Sequence, residues 1–264
     1  MKLFTPSQNA HWYRASDGMP MHQVEMKTKP GQMRPTTVRD AKQLGLFPSV
    51  TSIIKILSRP QLESWKQEQA VLAALTLPRK DGEPETEFAK RVVADAESIA
   101  EQAASKGTKI HNAIEQYLMT GEKVGDPEIL LLCEPFFDWA KTNILNVIMC
   151  EQVVISRNGY AGRLDLKAEF KDHGVRFADF KSRKPYEGKP RSYPDDSYQL
   201  AAYKMADNDT TSGLMSILIN SDSPSDPIIK PWETDEENDA KTIFSSCFLI
   251  WKTMKKFNPQ EHIR

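Results

Sequence analysis

No run in this chain of 264 residues approaches the ~20 consecutive apolar residues of a membrane span, and the opening MKLFTPSQNAHWYRASDG lacks the apolar stretch of a secretory signal. No membrane partner is therefore expected, and the expected location is the cytoplasm. Cysteine is scarce: Cys133, Cys150 and Cys247 are odd in number and widely spaced, with no C-x-x-C pair and no Cys/His cluster. They are expected to be reduced, and they offer no ligand set for zinc or an iron–sulfur cluster. Charge of one sign is also missing, since 35 Lys and Arg against 36 Asp and Glu leave a formal net charge of −1. A nucleic-acid surface would have to be a local patch. There is no G-x-x-x-x-G-K-[ST] stretch, so no ATP site is expected and ATP-driven movement would need a partner. Internal repeats and low-complexity segments are absent.

What is present divides by period. Residues 1–47 are polar, with Pro, Gly and isolated aromatics, and read as an irregular or short-stranded arm with no core of its own. From residue 48 to about 145 the chain reads as helical. PSVTSIIKIL starts with Ser49 or Thr51 as N-cap, and LESWKQEQAVLAAL continues past Pro60 with a stripe of Leu62, Trp65, Val71, Leu72 and Leu75. Phe88, Val92, Ala96, Ile99 and Ala103 recur at helical steps, Gly107 interrupts, and Ile110, Ile114 and Leu118 resume. From 146 to 264 the period falls to two in VIMCEQVVIS, GRLDLKAEF and VRFADFKS, which predict strands. A helix over SYQLAAYKMA, two further strands and a closing amphipathic helix complete the expected mixed α/β architecture.

Asp165 and Lys167 share a strand face, as do Asp179 and Lys181. A three-residue turn at Lys171 to His173 would set Asp165 opposite Asp179, with Cβ atoms roughly 4.5–5.5 Å apart. Carboxylates that close repel unless a cation lies between them, and Mg²⁺ or Mn²⁺ is a hard cation suited to such oxygens. A lysine beside it can stabilise charge on an attacked phosphate, so the pattern suits phosphodiester hydrolysis. The tripeptide alone carries little weight, because D-x-K also occurs at Asp40/Lys42 and Asp239/Lys241, and a solvated strand face accounts for any single case. Context separates the pairs: Asp179-Phe180-Lys181 ends an apolar strand, whereas Lys167 leads into Glu169 and Lys171 and reads as surface.

The order of motifs resembles the PD-(D/E)XK nuclease superfamily, RecB-like branch: G-Y-A-G-R-L-D ending at Asp165, D-F-K at Asp179 to Lys181, and Gln199-Leu-Ala-Ala-Tyr203 as its Q-x-x-x-Y helix. Gly107-Thr-Lys-Ile-His111 resembles the helix that supplies a histidine ligand in some members. With PSVTSIIKIL, Trp65-Lys66 and Glu151, the arrangement from about Phe47 to Ala206 is similar to the mitochondrial genome maintenance exonucleases and related phage exonucleases. No transit peptide is visible, and a bacterial or phage-infected cell is the expected setting.

The resemblance implies a restriction-endonuclease-like core with an N-terminal helical region over the cleft. It implies Asp165, Asp179, the Phe180 carbonyl and His111 as metal ligands, Lys181 as the group that positions water, and Gln199 and Tyr203 as its neighbours. Glu115 and Glu151 are candidates for a supporting shell, with ordinary surface or strand charge as the alternative. Arg183, Lys184, Lys189 and Arg191, interleaved with Tyr186 and Tyr193, form a basic-aromatic loop suited to single-stranded DNA, or a merely solvated one. The implied activity is metal-dependent DNA exonuclease, with replication or recombination proteins as partners. A structure-specific endonuclease and a catalytically silent DNA-binding subunit are the alternatives.

Overall fold

The computed structural model describes residues 11–185 and 188–262. At the N-terminal end, β1 (Trp12–Arg14), β2 (Gln23–Met26), β3 (Lys29–Pro35), α1 (Val38–Leu44) and β4 (Leu46–Pro48) follow one another, with β1 antiparallel to β4 and β2 to β3. Thr37 caps α1 in a reciprocal box with Asp40, and Gly45 ends it in the left-handed region. Residues 1–10 of the expected arm lie outside the described residues. The remainder packs into the body of the protein rather than around a core of its own: Trp12, Tyr13, Leu46 and Phe47 are buried, and Trp12 packs near Trp251 and Phe257, with ring centroids 6.1 and 6.3 Å away. Isolated aromatics carry no periodicity, and the surface that buries Trp12 comes from the far end of the chain.

Four helices follow: α2 (Val50–Ile54), α3 (Pro60–Thr76), α4 (Glu85–Thr120) and α5 (Pro127–Asn143). Ser49 caps α2 as expected, but the helix lasts five residues, and α3 is a separate helix with Pro60 in its first turn. The expected stripe on α3 is largely solvent-facing, with Leu62, Val71, Leu72 and Leu75 exposed and only Ala73 buried. Gly107 does not break α4, which runs 36 residues in one piece. Its cost of about 1 kcal/mol relative to Ala is offset by packing, because a Cβ there would lie 2.8 Å from Ser182 Oγ. The glycine is what lets α4 approach the sheet.

The centre is a five-stranded mixed sheet of β5 (Ile144–Ser156), β6 (Tyr160–Phe170), β7 (Gly174–Arg183), β8 (Gly213–Asn220) and β9 (Ile228–Trp232), in that spatial order. All neighbours are antiparallel except β7 and β8, which are joined through α6 (Pro194–Ala206). α7 (Thr234–Lys255) and a short 3-10 turn at Pro259–His262 follow β9. Helices flank the sheet, with one buried cluster joining α2, α6 and α7 to it and a second joining α4 and α5. Among the described residues no helix is long and apolar enough to cross a membrane.

Candidate active site

The β6–β7 hairpin has the expected register, with Phe170 opposite Gly174 and Leu166 opposite Ala178. The ladder ends there, one step short of Asp165 and Asp179. There the side chain takes over from the ladder, because the Phe180 N–H donates to Asp165 Oδ2 at 3.0 Å. The strand changes partners at the same point: Leu164 belongs to the cluster under α6 and α7, while Leu166 belongs to the one under α4 and α5. Across from Asp165 on β5, Glu151 has φ +52°, a left-handed conformation costly for a residue with a Cβ and frequent at functional sites.

α4 brings His111 onto this hairpin. Its Nε2 lies 2.8 Å from Asp165 Oδ2, its Nδ1 lies 3.4 Å from Glu151 Oε1, and its ring meets the edge of Phe180 at 5.8 Å. The Phe180 ring is itself packed against Phe136, so the residue whose carbonyl was expected as a ligand is anchored by the core. Lys181 forms an ion pair with Asp179. Lys167 points elsewhere, 2.7 Å from Asp207 and 2.8 Å from Asp209, with its ammonium over the Phe177 ring. The two D-x-K lysines therefore have different partners, but Lys167 is not the surface residue its context suggested: its side chain is mostly buried between Asp207, Asp209 and the Phe177 ring.

The charges are strongly coupled. Burial opposes a charged His111, but Asp165, Glu151 and Asp179 outweigh it and lift the ring's pKa to about 9. Burial and the neighbouring Asp165 raise Glu151 to about 7. Burial resists ionisation of Asp165 too, yet His111, Lys181 and the Phe180 N–H keep it below the usual carboxylate range. Asp179 is pushed up by burial and by Asp165, with Lys181 acting the other way.

α6 supplies the wall. Gln199 Nε2 donates to the Tyr203 hydroxyl at 3.1 Å, and Tyr203 lies against Gly162, where a Cβ would come within 2.6 Å of its Cε1. That contact accounts for the glycine in G-R-L-D. Among the described residues neither Gln199 nor Tyr203 hydrogen-bonds Lys181 or the aspartates. Burial and the charges of Asp165 and Asp179 hold the Tyr203 hydroxyl well above its ordinary pKa.

The sequence reading missed Arg163. It lies 2.8 Å from Glu115 and 2.5 Å from Glu151, tying both expected supporting carboxylates together. Its signal was present, since Arg163 stands two residues from Asp165 on one strand face and Glu115 stands four residues from His111 on one helix face. The basic loop is divided. Arg183 is committed to Asp196 through two hydrogen bonds of 2.8 and 2.6 Å and covers the Tyr193 ring at 4.6 Å, so this pair is a structural clamp at the start of α6. Lys184, Lys189 and Arg191 are exposed, and Tyr186 lies outside the described residues.

A cavity of about 330 Å³ opens beside the site, lined in part by Thr108, His111, Asn112, Phe180, Lys181 and Ser182. A larger one of about 680 Å³, between Arg14, Phe47, Arg157 and His262, holds none of these groups. Whether the residues fit a cation can be tested on their unmet valences. Glu151 Oε1 is buried with no hydrogen-bond donor in acceptable geometry, although His111 lies alongside, whereas Asp179 Oδ2 is held by the Lys181 ammonium. A buried anionic oxygen left without a donor is costly, and a hard divalent ion would satisfy it. Among the described residues, His111, Glu151 and Asp165 offer donor atoms all within 4.8 Å of one another. Comparison with known proteins returns no matching family model and no matching curated sequence.

Proposed function

We propose that the protein is a metal-dependent DNA exonuclease of the PD-(D/E)XK superfamily, RecB-like branch, acting on single strands from free ends in replication, recombination or repair. The observation that carries the reading is the convergence of His111 from α4, Asp165 from β6, and Asp179 and Lys181 from β7, while Lys167 is bound elsewhere. A mixed sheet with its carboxylates on a central hairpin and a helix crossing after the third strand is compatible with a restriction-endonuclease-like core.

Asp165, Asp179, His111 and the Phe180 carbonyl would hold Mg²⁺ or Mn²⁺, whose preference for oxygen with some nitrogen suits this donor set. When bound, such an ion supplies Lewis acidity toward phosphate and water. Lys181, anchored on Asp179, holds the attacking water and offsets charge building on the phosphate oxygens. Gln199 and Tyr203 keep the opposite wall in place. Lys184, Lys189 and Arg191 give phosphate-tracking charge at the exit of β7. No iron–sulfur cluster and no ATP enter this scheme.

The test uses end-labelled linear and circular single-stranded DNA with Mg²⁺ or Mn²⁺. The linear strand should shorten and the circle should survive, and EDTA should stop the reaction. Linearisation of the circle at the same rate would make the enzyme an endonuclease. Binding without cleavage of either would make it a silent DNA-binding subunit, and cleavage in EDTA would sink the mechanism.

A further inference from the structure

We propose that Glu151 is an inner ligand of the divalent cation, forming with His111 and Asp165 a three-donor set, and that Arg163 competes with the cation for it. The inference rests on the nuclease reading for the purpose of the cation, and it moves Glu151 from a supporting place to the metal itself.

Three observations carry it. Glu151, His111 and Asp165 present donor atoms within 4.8 Å of one another, close enough to surround one ion. The Glu151 side chain is 7% exposed, and its Oε1, the oxygen nearer His111, has no hydrogen-bond donor. Its other oxygen, Oε2, is 2.5 Å from the Nε of Arg163, whose side chain is 52% exposed and has a second anchor in Glu115. The carboxylate is thus half satisfied by a cation that can leave toward solvent without losing every partner. An ion at Oε1 would complete the group and weaken its hold on the guanidinium, because two positive charges would then share one carboxylate.

The experiment follows Mn²⁺ binding by electron paramagnetic resonance without nucleic acid, in wild type, Glu151→Gln and Arg163→Ala. Glu151→Gln should weaken binding by more than ~100-fold, beyond the roughly 10–100-fold that losing an outer partner of a ligand costs, whereas Arg163→Ala should bind as tightly as wild type or more so. Wild-type affinity in Glu151→Gln overturns the proposal. So does an equal loss in both variants, which would mean that Glu151 serves only to hold Arg163. A second arm places Glu151→Cys in a Cys150→Ser background and titrates Cd²⁺. A thiolate-to-cadmium charge-transfer band absent from Cys150→Ser alone is expected, and cadmium binding without that band overturns the assignment. Wild-type protein that binds Mn²⁺ through Glu151 but cleaves no DNA would end the nuclease reading and leave the ligand standing. Cleavage with unchanged Mn²⁺ affinity in Glu151→Gln would do the reverse.

Discussion

Lys167 and Lys181 sit in the same tripeptide pattern on neighbouring strands, and their partners give them different work. On the proposed nuclease reading, in which Lys181 serves the attacked phosphate, Lys181→Ala should lower turnover by orders of magnitude with little loss of DNA affinity. Lys167→Ala should keep its turnover and lose stability by roughly 1–3 kcal/mol, since it strips Asp207 and Asp209 of a mostly buried partner. Steady-state cleavage and urea unfolding of both variants check this, and the opposite ranking would move the chemistry to the first strand. The residue charges also set a pH dependence. His111, raised to about 9 from 6.5, stabilises the metal-free fold fully below pH 6.5 and loses that contribution as pH rises through 9. Glu151, raised to about 7 from 4.5, favours the folded state while protonated and loses that contribution as pH rises through 7. The melting temperature in EDTA should therefore fall between pH 4.5 and 9, through Glu151 first and His111 above pH 6.5, and a flat or rising curve would contradict the charge arrangement. The nearness of Asp165, Asp179 and Lys181 was legible from strand alternation, while His111 was singled out only through the resemblance in motif order. The contacts of Glu151 with His111 and of Arg163 with Glu115 and Glu151 were only hinted at by strand and helix spacing, because they depend on how closely α4 lies against β5 and β6.

At the scale of elements, the hairpin register was legible from its turn, while the helices were legible in phase and not in extent. The stripe on α4 steps by seven from Ala103 to Ile110, two turns across Gly107, so its phase survives the glycine. That the helix runs on through the glycine, with Ser182 close enough to crowd any Cβ there, is something sequence period cannot see. Gly107→Ala is accordingly a measurement of that contact. Alone, it should push α4 from β7 and lower cleavage through His111, although alanine favours a helix by about 1 kcal/mol. Combined with Ser182→Ala, which removes the atom in the way, activity should return, and a double variant as slow as the single one would show that the contact does not set the position. α3 shows the opposite limit. Its pattern marks an apolar face, but amphipathicity does not say what covers the face, and in this structure solvent does.

Across the whole molecule, the mixed sheet flanked by helices was readable from the change of period along the chain. The integration of the N-terminal segment was not, because Trp12 finds its neighbours in Trp251 and Phe257, more than two hundred residues away. Charge balance was equally blind to the clamp between Arg183 and Asp196, where a cation expected at the DNA surface is held internally. One further property follows from the unbroken α4. At 1.5 Å per residue, its 36 residues make a beam about 54 Å long, and His111 is mounted 26 residues from the end at Glu85. Such a mounting ties the imidazole to the helix as a whole: Ile110, Ala113 and Ile114 beside it are buried against α5 and the sheet, and before them only Val92 of the strut is buried. Ala94→Pro, an exposed change roughly 25 Å along the axis from His111, should put a joint in that strut. Cleavage should drop while circular dichroism reports a folded protein, and full activity in that variant would show that the near end of the beam is braced well enough to hold the site by itself.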